Sequence, residues 1–313
     1  MAILQNRYVL GGVRGVVGGI AICTAMSFFG DKAWLCELTT HFPLQYMMVL
    51  CVCLPFLWMN KDRYSLLVAS LLIIINILPV LQVYRKRPHT GIVKESLSCL
   101  FLNLNFRNQS FDRAIEYIKK VDADVVVLQE LGYDWEKHLK PALQPYLHKV
   151  YYPKVRYFGI AVLSKIQGTR LYVMDEPELL YPAILAHIPL ADTAINLYAT
   201  HAIAPETPGQ LNARNQHLRD TRAIQDSVGG PFMLIGDLNI TPYSPYYKIL
   251  TEELGLFDSR DGIGIHGSWP TWGGPFRIPL DHCMVDKDIK ILKRAIGKNV
   301  GSDHHPLYVE IGI

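Results

Sequence analysis

The sequence predicts an α/β (α+β) chain, a hydrophobic membrane part of about 90 residues followed by a layered sandwich of strands and helices. Three observations carry this. Long apolar segments are confined to the region before residue 85. After residue 97, short apolar runs of strand length alternate with amphipathic helical stretches. Those runs stop repeatedly at Asn, Asp, Glu or His.

Half of the 313 residues are hydrophobic, and the mean hydropathy of +0.14 hides a boundary near residue 90. Residues 1–90 carry eight Lys or Arg against three acids, a net of +5, leaving 23 basic and 25 acidic residues in 91–313, a net of −2. The positive charge therefore belongs to the hydrophobic part. The soluble part has no global basic signature for nucleic acid. Six cysteines form no Cys-x-x-Cys pair; Cys99 and Cys283, the two in the soluble part, read as buried free thiols.

Three apolar segments, 8–29, 42–59 and 64–84, read as three transmembrane helices, since about 20 apolar residues cross a bilayer core. The third is free of charge from Leu66 to Val83. The second contains Pro55 and is near the minimum length, and the first contains Arg14, which can snorkel from near a span end. Lys and Arg are shared almost equally between the two sides, so charge does not orient the spans. Three crossings put the two termini on opposite sides. Residues 1–87 are thus expected to form a membrane domain, 88–96 a short linker reaching at most about 30 Å, and 97–313 the soluble domain.

In the soluble part, Leu97 to Leu102 is a strand ending in Asn103-Leu104-Asn105. Ser110 precedes a helix whose apolar face is Phe111, Ala114, Ile115, Ile118 and Val121. The buried strand Val125 to Leu128 ends in Gln129-Glu130, and another apolar run lies at 159–163. A strand over 195–199 ends in Thr200-His201, a core-packing helix covers 210–228, and a further helix is expected over 246–254. The run Pro231 to Ile235 delivers Gly236-Asp237-Leu238-Asn239, where Asp237 and Asn239, two apart on a strand, share a face. Taken alone those four residues are as consistent with a turn. A loop at 270–275 precedes the strand that carries Asp281, and Asp303 and His304 precede a last strand at 307–311.

The polar strand end recurs six times: Asn103, Glu130, His201, Asp237 with Asn239, Asp281, and Asp303 with His304. Repetition at one kind of position describes one polar cleft at the edge of a sandwich. Carboxylate and carboxamide oxygens are hard ligands suited to Mg²⁺ or Mn²⁺ rather than zinc. A hard cation beside carboxylates and histidines suits phosphoester hydrolysis. No Gly-x-x-x-x-Gly-Lys loop is present, which disfavours nucleotide-driven phosphoryl transfer.

Gln129-Glu130, Gly236-Asp237-Leu238-Asn239, Leu280-Asp281-His282 and Ser302-Asp303-His304-His305-Pro306, in that order, resemble the metal-dependent endonuclease/exonuclease/phosphatase superfamily from about residue 97 to 313. The resemblance implies a four-layer α-β-β-α sandwich with a divalent metal at one end. It implies Glu130 as principal metal ligand with Asn103 and Asp303 beside it, Asp237 to orient or deprotonate the attacking water, and Asn239 to hold the phosphate. It also implies His304 at the scissile phosphate with Asp281 fixing its tautomer, and His201 as a second phosphate contact. Asn105 competes with Asn103, and His305 with His304; the family's wider first spacing and its Ser-Asp-His order favour Asn103 and His304.

The apolar N-terminal part and the Pro-Thr-Trp and Leu-Asp-His stretches within 270–282 look like the bacterial membrane-bound branch of the superfamily, which includes teicoplanin-resistance membrane proteins acting on undecaprenyl pyrophosphate. This resemblance implies a multi-pass protein of the bacterial plasma membrane with an extracytoplasmic catalytic domain. Its expected partners are the lipid bilayer and a lipid phosphate or pyrophosphate. The enzymatic alternatives are a membrane-tethered metal-dependent nuclease, with nucleic acid the less favoured substrate through a local patch of Lys154, Arg156, Arg214 and Arg219, and a phosphodiesterase acting on phospholipid head groups; a catalytically inactive membrane scaffold is the non-enzymatic alternative.

Overall fold

The computed structural model describes residues 7–85, 93–175, 181–190 and 192–313. The expected linker at 88–96 lies largely outside them. The chain divides into two compact units, one made of the N-terminal residues through Arg85 together with Ile240–Tyr247, the other of the remainder.

The first unit holds α1 (Arg7–Ser27), α2 (Trp34–Thr39), α3 (Pro43–Met59) and α4 (Arg63–Gln82). Val17, Ile20, Leu50, Cys53, Leu57, Ala69 and Leu72 make its apolar centre, while Ile22, Val52, Leu67, Leu71, Ile74 and Leu78 face outward. Buried polar side chains have partners: Asp62 Oδ2 accepts from Nε of the exposed Arg14 at 2.6 Å, and Asn76 Nδ2 donates to Thr24 Oγ1 at 3.0 Å. Glu37 accepts from Ser244 Oγ at 2.8 Å, and His41 Nδ1 lies 2.8 Å from Thr241 Oγ1.

The expected three transmembrane helices become two of spanning length, α1 with 21 residues and α4 with 20. Helix α3 has 17 residues, about 25 Å at 1.5 Å per residue, short of a hydrocarbon core of about 30 Å. With two such helices, the odd number of crossings behind the extracytoplasmic placement is lost.

The second unit is two six-stranded sheets with helices outside. Its strands are β1 (Ser96–Asn103), β2 (Val125–Gln129), β3 (His148–Tyr152), β4 (Ile160–Ser164), β5 (Arg170–Met174), β6 (Ala183–Leu190), β7 (Thr193–Thr200), β8 (Phe232–Asp237), β9 (Phe257–Asp258), β10 (Asp281–Val285), β11 (Lys290–Ile296) and β12 (Leu307–Gly312). The helices are α5 (Phe111–Val121), α6 (Tyr133–Ala142) and α7 (Pro208–Val228). One sheet runs β11-β12-β1-β2-β4-β3 and the other β5-β6-β7-β8-β10-β9.

Period-two alternation builds the layers. In β1, Leu97, Cys99 and Phe101 face a core shared with Ile184, Leu197, Met233, Ile235 and Cys283 of the other sheet. The intervening Leu100 and Leu102 pack outward against Ala114, Ile115 and Ile118 of α5 and Trp135 and Leu139 of α6. Across the other sheet, His217 of α7 reaches Thr200 Oγ1 at 2.7 Å. Cys99 and Cys283 are buried free thiols, as expected. The helix expected over 246–254 is instead a 3₁₀ turn, Pro245–Tyr247, and a π turn, Ile249–Glu253.

Candidate active site

Parallel β1 and β2 end together, with Asn103 opposite Gln129. Antiparallel β8 and β10 place Asp237 opposite Asp281. The register of each sheet therefore puts its polar strand ends on one edge, and the face-to-face packing brings the two edges together.

Gln129, fully buried, links them. Its Nε2 donates to Thr200 O at 2.7 Å and its Oε1 accepts from Asp237 N at 3.0 Å. Gly236 is required by the same close approach, because a Cβ there would lie 1.9 Å from Thr200 O and 2.6 Å from Gln129 Nε2.

Asn103 Nδ2 donates to Glu130 Oε1 at 3.1 Å and to Asp237 Oδ2 at 3.2 Å, so it bridges the sheets from the polar side. The competing Asn105 donates instead to Asp303 Oδ1 at 2.8 Å. Glu130 Oε2 also accepts from Phe106 N at 3.1 Å, and Asp303 Oδ2 from Trp269 Nε1 at 3.1 Å. Glu130, Asn105 and Asn239 all have left-handed backbone, φ 55°, 55° and 49°. Such geometry costs a non-glycine residue on the order of 1 kcal/mol and concentrates at functional sites.

His304 joins the acids in a row. Its Nδ1 lies 3.0 Å from Asp281 Oδ2 and 3.1 Å from Oδ1, and its Nε2 is 3.5 Å from Asp237 Oδ2. Its backbone N donates to Ser302 Oγ, which gives the serine of Ser-Asp-His a structural reason. His305 turns away, its Nδ1 2.9 Å from Gly297 O. Asn239 donates from its backbone N to Asp237 Oδ1 at 3.0 Å and from Nδ2 to Ala202 O at 2.9 Å. His201 Nε2 is 3.6 Å from Asp237 Oδ2, and its Nδ1 is 3.2 Å from Tyr157 O.

Burial opposes charge on His304, yet Asp281 and Asp237 together push its pKa up to about 10. Burial, reinforced by Asp281, pushes Asp237 up to about 6 against the pull of His304 and His201. Burial would raise Asp281, but His304 holds it below the usual carboxylate range. His201 is lowered by burial and is neutral at pH 7. Glu130 is raised, by burial first and by Asp303 among its neighbours.

Every predicted site residue lies in this constellation or touches a member of it. Sequence reading gave no role of their own to Gln129 or Ser302, and it placed Arg214 in a nucleic-acid patch rather than at this site. Fully buried Arg214 donates from Nη1 to Asn239 O at 2.9 Å. A buried arginine in an otherwise core-facing stripe of the 210–228 helix was the available signal. That burial also removes Arg214 from the proposed nucleic-acid patch. Lys154 and Arg219 pair with Asp175 and Glu253.

The acids fit a hard cation. Among the described residues, no lysine or arginine forms an ion pair with Glu130, Asp237 or Asp303. Four acidic groups share the cleft with two histidines, an excess of negative charge that a divalent ion offsets. Asp237, Asp281 and His304 offer ligand atoms within 4.8 Å of one another, but His304 Nδ1 is already committed to Asp281.

A two-sheet fold with this polar edge is that of a class of phosphoester hydrolases, and residues 100–304 match the model of the endonuclease/exonuclease/phosphatase family. The chain belongs to that family. No curated protein matches it by sequence. Among solved structures, it is similar to D. rerio TDP2 complexed with a single-strand DNA product, at 17% identity and TM-score 0.57 over 70% of this chain and 99% of that one. An endonuclease/exonuclease/phosphatase from Beutenbergia cavernae matches at 18% identity and TM-score 0.56, over 70% of this chain and 72% of that one. The Bacteroides thetaiotaomicron mannosyl-6-phosphatase matches at 16% identity and TM-score 0.53, over 69% of this chain and all of that one. At these identities the likeness is one of fold.

Proposed function

We propose that this chain is a membrane-anchored, Mg²⁺- or Mn²⁺-dependent phosphohydrolase acting on a lipid phosphate or pyrophosphate of the polyprenyl class. The observation that carries the chemistry is the row Asp281, His304, Asp237 beside Glu130, which forms no ion pair with lysine or arginine among the described residues. The two spanning-length helices and the slightly acidic remainder of the chain favour a lipid over a polynucleotide.

In this reading Glu130 and Asp303, with the Asn103 carboxamide oxygen, would hold the cation, whose chemistry when bound would be to offset phosphate charge and stabilise the leaving oxygen. Asp237 is the base. A carboxylate raised toward neutrality by burial retains both affinity for a water proton and a population of the charged form. The backbone N–H of Asn239 and the Asn103 carboxamide aim its two oxygens. Asp281 keeps the proton on His304 Nδ1, so a charged His304 presents Nε2–H to a phosphate oxygen. Neutral His201 and the Asn239 carboxamide complete the phosphate contacts.

Phosphate release from undecaprenyl pyrophosphate by the purified full chain with Mg²⁺, set beside plasmid nicking by the same preparation, tests the reading. The expected result is cation-dependent phosphate release that Asp237→Ala abolishes. Metal-dependent nicking without phosphate release from any lipid phosphate would replace this function with a nuclease. Wild-type activity in Asp237→Ala and Glu130→Ala would remove both.

A further inference from the structure

Of the three tryptophans in the second unit, Trp135 is buried and Trp269 is bound to Asp303, but Trp272 is 84% exposed. Phe276, on the same loop, is 48% exposed. This loop is braced: Thr271 N donates to Asp303 O at 2.8 Å, Thr271 Oγ1 to Ser302 O at 3.1 Å, Gly273 N to Pro270 O at 2.8 Å and Arg277 Nε to Gly274 O at 2.7 Å. Trp272 is therefore held out by a preorganised turn rather than left on a slack one.

A second loop shows the same composition. Val155 is 78% and Tyr157 43% exposed, and the exposed Arg156 between them has left-handed backbone, φ 85°. This loop too is tied to the site, because Tyr157 O lies 3.2 Å from His201 Nδ1 and its ring meets Phe106 edge-on at 4.6 Å. Phe106 N in turn binds Glu130, and neighbouring Asn105 binds Asp303. A continuous run of contacts thus joins the two loops around the mouth of the cleft. Exposed Arg107 lies on that run, and neither Arg107 nor Arg156 forms an ion pair among the described residues.

Single exposed apolar side chains are ordinary on a soluble surface. Four on two braced loops at one cleft mouth, with two guanidiniums that form no ion pair among the described residues, that of Arg107 lying over the Phe106 ring at 5.2 Å, have the composition of a bilayer interface. There, Trp and Tyr place apolar rings below polar edges, and Arg meets phosphates.

We infer that these loops are a membrane-contacting rim: Val155, Tyr157, Trp272 and Phe276 enter the headgroup–acyl boundary of a phospholipid bilayer while Arg107 and Arg156 meet lipid phosphates. The rim lets a polyprenyl phosphate pass its headgroup to the cleft without its tail crossing water, so this inference builds on the lipid-phosphoester reading.

The test uses the full chain in nanodiscs of phosphatidylcholine and phosphatidylglycerol with or without brominated acyl chains. The fluorescence component removed by Trp272→Ser reports residue 272. The expected result is at least about twofold quenching of that component by brominated lipid, as for an interfacial ring. Trp272→Ser/Phe276→Ser should also lower turnover of a polyprenyl pyrophosphate in the disc about 10-fold, equivalent to the lost anchoring, and leave a water-soluble phosphomonoester within about twofold. An unquenched component, or equal loss on both substrates, overturns the rim. Quenching in a protein that hydrolyses only the soluble ester would sink the lipid-substrate reading and leave the rim in place.

Discussion

Gln129 Oε1 accepts the backbone N–H of Asp237 at 3.0 Å, so the residue beside the proposed metal ligand in one sheet fixes the proposed base in the other. Neither residue has exposure to exchange that bond for water. In Gln129→Leu, Asp237 N and Thr200 O lose their partner, a cost of about 1–3 kcal/mol in buried surroundings. Denaturant unfolding should show that loss, with kcat falling more than KM rises because Asp237 is displaced.

Gly236→Ala should fail more severely. The new Cβ would meet the Thr200 carbonyl at 1.9 Å, and a strand pinned between two neighbours has nowhere to move. A loss of about 3 kcal/mol is expected from overpacking, read as a lower unfolding midpoint. Gly255→Ala, with open space around its Cβ site, is the control for a clash, its own cost being backbone strain at φ 66°.

Asp237→Asn should separate stability from activity. The folded-state pKa of Asp237 is raised from 3.8 to about 6, so its contribution to stability is fully present below pH 3.8 and lost as pH rises through about 6. Charged Asp237 therefore destabilises the metal-free protein at pH 8, and the asparagine should stabilise it by on the order of 2 kcal/mol there. Thermal unfolding in EDTA at pH 8 and pH 4.5 checks this; the gain should shrink at the lower pH, while hydrolysis is lost at both.

His304 carries a pH signature of the same sign, displaced to higher pH. Its pKa is raised from 6.5 to about 10, so the stability it contributes is fully present below pH 6.5 and lost as pH rises through about 10. Asp281→Asn removes its nearest anion. The His304 imidazole should then titrate at a lower pH, visible by NMR in the metal-free protein, and kcat should fall on the order of 10²–10⁴-fold for a mispositioned acid.

Cation removal should abolish hydrolysis, and Mg²⁺ or Mn²⁺ should restore it. At a cation concentration about 100 times its Kd, the wild type should gain about 2.7 kcal/mol of stability. Glu130→Ala should lose most of that gain, measured as the difference in unfolding midpoint with and without cation.

The strands that sequence reading found are the inner ones. β1, β2, β4, β7, β8, β10 and β12 are apolar runs because both faces of an inner strand are covered. The strands it did not find include β3, β5, β9 and β11, which are the four sheet edges. All five residues of β3 are only partly buried, and β5 is exposed at three of five, so no apolar run marks them. β6 was also unread, its run interrupted by His187 and Pro189. The same reasoning overcounted the membrane helices, because hydropathy along 42–59 does not register that the helix ends after 17 residues.

By itself, the sequence determined the order of the polar strand ends and the chemistry they could support. Which residue types terminate a buried strand is a local property, and six such ends in one chain already describe a cleft. Only the tertiary structure decided the pairings. Asn103 faces Glu130 and Asp237 while Asn105 goes to Asp303, and His304 reaches Asp281 while His305 goes to a backbone carbonyl. Those partners lie 23 to 198 residues apart in all but one case. Strand register and the Gln129 crosslink bring them together, and one-dimensional pattern has no term for either.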